Sequence, residues 1–178
     1  MDNSLISVRY AKALFSLSQE KNNVEIVYND MLLLLEQCSI TPALSHLLES
    51  PSISPAEKKK VFKSIFETYI SEISMNFLNV IIDNKREELL SGITRNYIDL
   101  YKKNNGIKTA AIYTATDLSD EYVSKVKTLL EKELKAKVEL TVSVRDHLIG
   151  GFILMVDGKM MDASIFNRLK MLKHKLLS

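Results

Sequence analysis

Cysteine is nearly missing from this chain. Cys38 is the single one in 178 residues, so an internal disulfide and a multi-cysteine zinc site are both excluded. Glycine is almost as scarce: there are five, and only Gly92 falls within the first hundred residues. No GxSxG, Walker-type loop or full Rossmann fingerprint occurs, which removes the common nucleophile and nucleotide signatures. Long apolar runs are missing too. The longest, "MLLLL" and "LIGGFILMV", fall far short of the ~20 residues a membrane-spanning helix needs. Charge of one sign is not in excess either. A formal net charge of +2 is too weak to argue for nucleic acid by itself. The opening "MDNSLISVRYAKALF" has an early acid and no continuous apolar core, unlike a secretory signal. What is present is 46% apolar and 26% charged residues, the make-up of a globular chain. The expectation is a soluble intracellular protein.

Helix signals fill the first hundred residues. Ser4 can cap a helix through about Glu20, and a second is predicted from Val24 to about Cys38. Thr41-Pro42 reads as a cap plus first-turn proline, opening a short helix through Glu49. Ser54-Pro55-Ala56-Glu57 is a capping box with proline at the first helical position. It predicts a helix ending near Tyr69. Two more are expected over about 71–83 and 86–104, and Gly106 follows where a helix stop belongs. Six helices with short connections make an all-helical domain.

After Gly106 the pattern changes. "IKTAAIYTA" reads as a strand. Ser119 can cap a helix carrying Tyr122, Val123, Val126, Leu129, Leu130 and Leu134, which fall within an arc of about 140°. "KVELTVSVR" alternates, with Val138, Leu140, Val142 and Val144 on one face. A further strand is expected from about Leu148. In "GGFILMVDGKMMDAS", residues 150–164, Gly150 and Gly151 open that strand. Glycines there allow positive φ, a bulge or close backbone approach. Asp157-Gly158 between apolar flanks fits a two-residue type I′ turn. Asp162 or Ser164 then caps a last helix with Ile165, Phe166, Leu169, Leu172 and Leu176 on one face. A phosphate cradle is excluded by order, because these glycines precede an extended run and not a helix N-terminus. The fold class is therefore α+β: an N-terminal six-helix bundle over 1–105, then a small β-α-β-β-α domain over 106–178. "KKNNG" is a short joint between them.

Residues 1–105 hold 12 Lys+Arg and 13 Asp+Glu, and residues 106–178 hold 12 and 9. Only the second part is basic, much of it in "RLKMLKHKLLS", where a helix end favours cations. Two helices carry more apolar surface than one stripe requires. In the first, Arg9, Lys12, Ser16, Gln19 and Glu20 form the polar arc, and Ile6, Val8, Tyr10, Ala11, Ala13, Leu14, Phe15 and Leu17 occupy most of the rest. In the fifth, Ile73, Phe77, Val80 and Ile81 face one way, and Met75, Leu78 and Ile82 another. Such helices either sit centrally in the bundle or leave a groove for a partner's amphipathic helix.

Catalytic constellations are not visible. His46, His147 and His174 are widely separated, without metal-ligand spacing. Glu87 and Glu88 have no evident partner for acid-base work. Cys38 reads as a buried small apolar residue. No residue pattern here points to an active site, a cofactor or a metal, and the function is expected to lie on the chain's surfaces.

Three segments carry a resemblance. "LIGGFILMVDGKMMDASIFNRLKMLKHKL", "RYAKALFSLSQE" and "SPSISPAEKKKVF" resemble, in order, the C-terminal signature, opening helix and mid-domain segment of one family. That family is the delta subunit of bacterial F-type ATP synthases, counterpart of the mitochondrial oligomycin-sensitivity-conferral protein. The resemblance spans essentially the whole chain. Asp157-Gly158 inverts the family's usual Gly-Asp. Met155 stands where a basic residue is frequent, and Ala163 where glycine is. The resemblance implies a non-catalytic peripheral-stalk subunit of the proton-translocating synthase. It would be peripheral at the cytoplasmic face of the inner membrane and take part in ATP synthesis and hydrogen ion transport through the complex. The implied partners are the α subunit, whose N-terminal helix would meet the first domain, and b-type stalk subunits, which would meet the second. Tyr10, Ala13, Leu14, Leu78 and Ile82 are the expected contacts for the α-subunit helix. The alternative is an RNA-binding adaptor, for which a small basic β-α-β-β-α domain is loosely suitable, though no GxxG clamp or aromatic strand motif occurs.

Overall fold

The computed structural model describes residues 3–50, 52–146 and 148–177, with backbone alone for 3, 42, 43, 45, 49 and 172–177. His147 and the side chains of Leu172, His174 and Leu176 thus lie outside the described residues. The chain divides into two compact units, Met1–Lys102 and Lys103–Ser178.

The first unit is helical: α1 (Asn3–Glu20), α2 (Val24–Ile40), α3 (Pro42–Glu49), α4 (Pro55–Phe66), α5 (Glu72–Asp83) and α6 (Leu90–Asn104). Local chemistry sets several boundaries. Ser54 accepts from the Glu57 amide while Glu57 accepts from the Ser54 amide, a complete capping box before Pro55. α1 and α5 end in the same device. Asn22 and Lys85 take left-handed backbone, with φ of +55° and +53°. The next amides, of Asn23 and Arg86, reach back to the Ser18 and Ile81 carbonyls, the Schellman arrangement. Ser4 is inside α1, not its cap, and Thr41 precedes Pro42 without a side-chain cap bond.

Apolar faces meet in one core that draws Ala11, Leu14, Met31, Leu34, Leu48, Phe62, Phe66, Leu78, Ile81, Ile82 and Ile93 from all six helices. Tyr97 is fully buried, its ring edge-on to Phe15 and its hydroxyl bonded to Ser18 at 2.8 Å. Gly92 has a packing reason: a Cβ there would stand 2.9 Å from the Ser7 hydroxyl, so α6 crosses α1 closely.

Two boundaries differ from the sequence expectation, and buried polar groups explain both. α4 stops at Phe66 rather than near Tyr69. The amides of Tyr69 and Ile70 both turn back to the Phe66 carbonyl, which buries Ile70 and delivers Ser71 to Asp30. Buried Asp30 accepts from the Ser71 amide at 2.9 Å and from the hydroxyls of Ser71 and Ser74 at 2.6 Å each. The helix expected from about Arg86 starts as a 3-10 turn, Glu87–Leu89, before α6. Glu87 is buried there against Lys58 at 2.8 Å, and Lys58 also donates to the Leu48 carbonyl. Glu87 is thus a structural ion-pair partner. Cys38 is half-buried against the core, and burial raises its thiol pKa.

The second unit holds β1 (Lys108–Thr114), α7 (Asp120–Leu134), β2 (Val138–Val144), β3 (Phe152–Val156), β4 (Lys159–Asp162) and α8 (Ile165–Leu177). Sheet order is β2-β1-β3-β4. β1 runs parallel to β2, with Ile112 opposite Val142, and antiparallel to β3, with Ile112 opposite Leu154. Parallel pairing of β1 and β2 needs a crossover, which α7 supplies. Ala110, Leu130 and Val138 form the core, with Val126, Leu134, Leu140, Leu154 and Val156 packed on it. The observed order is β-α-β-β-β-α, one strand more than β-α-β-β-α. Val156 pairs with Lys159, and Asp157 and Gly158 between them have φ of +46° and +79°. Two positive φ values are what a type I′ turn requires.

β3 begins at Phe152, not near Leu148, because the glycines before it serve a different contact. Gly151 has φ +80°, and a Cβ on it would lie 2.5 Å from the Ala163 carbonyl oxygen. Gly150 accepts from the Ile165 amide at 3.0 Å. The pair therefore presses the start of β3 against the entry to α8. Ser164 caps that helix through the Asn167 amide, while Asp162 accepts from the Ser164 amide at 2.9 Å. Those bonds from Ser164 lower the Asp162 pKa. Ser119 precedes α7 without a side-chain cap bond.

Candidate functional site

α1 and α5 place their apolar residues in the same way. α1 buries Ser7, Ala11, Leu14 and Ser18, at spacings of four, three and four. One residue earlier runs a second stripe, Ile6, Tyr10, Ala13 and Leu17, which is half-buried or exposed. α5 buries Ser74, Leu78 and Ile81, and one residue earlier carries Ile73, Phe77 and Val80. The outer stripes meet where Tyr10 and Phe77 pack edge to face, with centroids 6.3 Å apart. Beside them Ile6, Arg9, Tyr10, Ala13 and Arg86 line a groove of about 350 Å³.

The five contacts expected for the partner helix are not brought together on that surface. Tyr10 and Ala13 line the groove. Leu14, Leu78 and Ile82 are only 1%, 2% and 1% exposed and lie in the core beneath. They cannot touch a partner while the bundle is closed, because their neighbours already cover them. Ile81, grouped from the sequence with Phe77 and Val80, is likewise in the core, whereas Val80 is 48% exposed. Phe77 and Val80 belong to the open surface and were available to sequence reasoning through the one-residue offset between stripes. Arg86 was not, because only the left-handed Lys85 turn returns it towards α1.

The second unit carries a larger apolar groove, of about 620 Å³, between α7 and the sheet. Tyr122, Val126 and Leu129 form its helical wall, and Ile149, Phe152 and Met161 line the side opposite. Of the apolar arc expected on α7, only Leu130 is buried. Leu129 remains 62% exposed, on the wall of this open groove. Phe166 and Leu169 of α8 are exposed as well. Gly150 and Gly151 also line this groove, while Asp157 and Gly158 sit at the β3–β4 turn and not in it.

His46 is exposed, and no cluster of three His, Cys, Asp or Glu with metal-binding potential occurs among the described residues. Among the described residues no helix is long and apolar enough to cross a membrane.

Comparison with known proteins places this arrangement. The family described as "ATP synthase delta (OSCP) subunit" matches residues 6–176. The ATP synthase subunit delta of Parabacteroides distasonis is 36% identical over 177 residues, covering 99% of this chain and 98% of that one. That of Flavobacterium psychrophilum is 31% identical over 176 residues, covering 99% of each. In fold, the chain is similar to one in the Toxoplasma gondii mitochondrial ATP synthase hexamer, with a TM-score of 0.78, 23% identity and 97% of each chain covered. With the match running through both units, the chain belongs to the ATP synthase delta (OSCP) subunit family.

Proposed function

We propose that this chain is a non-catalytic subunit of the peripheral stalk of a proton-translocating ATP synthase. In this reading the helical domain, 1–105, holds the N-terminal helix of the α subunit, and the α/β domain, 106–178, holds b-type stalk subunits. The chain acts at the cytoplasmic face of the inner membrane, associated with it through the complex. One observation carries the reading: the outer stripe of α1 leaves a groove open at Ile6, Tyr10 and Ala13, closed on the other side by Arg86 just beyond α5, while Leu14, Leu78 and Ile82 are buried in the core. A partner helix with apolar residues at spacings of three and four fits such a seam. Tyr10 and Ala13 then act as direct contacts. Leu14, Leu78 and Ile82 act from beneath, holding the two walls at their separation.

The mechanical requirement follows from the rotor. A stalk must hold the head still against torque, so its joints must dissociate slowly. Well-packed apolar contacts do this, since affinity among related interfaces is tuned mostly through the off-rate. The exposed apolar groove of the second unit offers the second joint, to a stalk helix laid against Tyr122, Leu129, Phe152 and Met161. The RNA-adaptor alternative has no observation that favours it.

The test is calorimetry of the full chain with a synthetic peptide spanning the N-terminal helix of the α subunit from the same organism. Binding is expected, and Ala13→Glu or Val80→Glu should weaken it at least about tenfold, since a charge then faces an apolar seam. Circular dichroism should stay unchanged because both positions are exposed. A folded chain that ignores the peptide at micromolar concentrations would sink the proposal.

A further inference from the structure

We infer that Arg9 and Arg86 form a cationic clamp at the groove along α1 that selects a partner helix carrying a carboxylate beside its apolar stripe. This rests on the groove being a helix-binding site, and it adds what kind of helix the groove accepts. Both arginines line the groove together with Ile6, Tyr10 and Ala13, and among the described residues no carboxylate lines it. Among the described residues neither arginine is in an ion pair, whereas Lys58, Lys59, Lys63, Lys108 and Lys125 each have an acidic partner.

The placement of Arg86 comes from the backbone. The left-handed turn at Lys85 and the bond from the Arg86 amide to the Ile81 carbonyl at 3.0 Å fold the chain back at the end of α5. Arg86 therefore lies half-buried on the groove wall rather than out in solvent. A purely apolar helix laid in the groove would strip more water from that guanidinium and return nothing for it, which is unfavourable. A carboxylate on the incoming helix would meet it with charge-assisted, planar hydrogen bonds, a geometry that arginine supports better than lysine. Arg9 is exposed on α1, one residue before Tyr10, where it adds a second positive charge at the rim. Apolar contacts then hold the helix, and the arginines set its register and reject helices with a cation at that place.

The experiment uses the full chain, the α-subunit N-terminal peptide, and a second peptide with its carboxylates changed to the matching amides. Calorimetry is run at low and high salt. The Arg9→Glu, Arg86→Glu double variant should bind the native peptide at least about tenfold more weakly, and salt should weaken wild-type binding. The amide peptide should bind the wild type more weakly than the native peptide does, and lose little further on the double variant. Wild-type binding that is salt-independent and within about twofold of the double variant would overturn the clamp while leaving the groove as a helix site. A wild type that is folded but binds neither peptide would remove both readings together.

Discussion

In the first unit, leucines at 14 and 78 vanish into a core shared by all six helices; in the second, Leu129 stands 62% exposed above a sheet of four short strands. Both units come from sequence with about the same supply of apolar residues on their helices. They differ in what lies opposite those helices. Six helices can surround one another, so an apolar stripe on one finds neighbours on several sides. A sheet offers one face to α7, so only the side of the arc turned to it is covered, and the side carrying Leu129 faces the open groove. The lesson is that excess apolar surface has two fates within one chain: in the bundle it is mostly absorbed, leaving a narrow groove, and in the α/β unit it stays outside.

The two fates are tested most directly by the same leucine-to-alanine change in each unit. Leu14→Ala removes a fully buried side chain and should cost about 2–5 kcal/mol, read as a lowered urea midpoint for the helical transition. A charge at Leu14 or Ile82 would act on the fold in the same direction, so it tests the core and not the groove. Next in size is Gly151→Ala, about 2 kcal/mol, since the residue has positive φ and its Cβ would press on the Ala163 carbonyl. Faster hydrogen exchange along β3 and β4, with the helical unit unaffected, is the expected signature. Leu129→Ala should change stability by only about 0.5 kcal/mol or less. A larger loss would show that the exposed α7 face is covered within the chain. The smallest effect is on acid stability, where each unit has one group. Hydrogen bonds from Ser54 hold the Glu57 carboxyl, and bonds from Ser164 the Asp162 carboxyl, below their usual pKa. A depressed folded pKa contributes stability above the unfolded value of about 4, lost as pH falls through the folded value. Ser54→Ala and Ser164→Ala should therefore flatten the fall of the urea midpoint between about pH 5 and pH 3.

Much of the architecture was legible because its causes are local. The Ser54–Glu57 box, the Pro42 and Pro55 starts and the Asp157-Gly158 turn each act within a few residues. The periodicity of α1 and α5 correctly announced two apolar sides. It did not reveal which side faces inward, and Leu14, Leu78 and Ile82 were accordingly expected at a surface they do not reach. Asp30 joins Ser71 and Ser74 across more than forty positions, and Lys58 joins Glu87 across nearly thirty. Neither pairing has a signature at either end alone, yet together they decide where α4 ends and how α6 begins.

Residue order alone determined most helix and strand positions, the Ser54–Glu57 cap and the Asp157-Gly158 turn, since these follow from φ preferences and hydrogen bonds between near neighbours. Tertiary structure alone decided which apolar stripe became core, which became groove, and that Arg86 would stand beside Tyr10. Burial is a property of a residue together with partners distant in the chain, and a helical wheel carries angles but not neighbours.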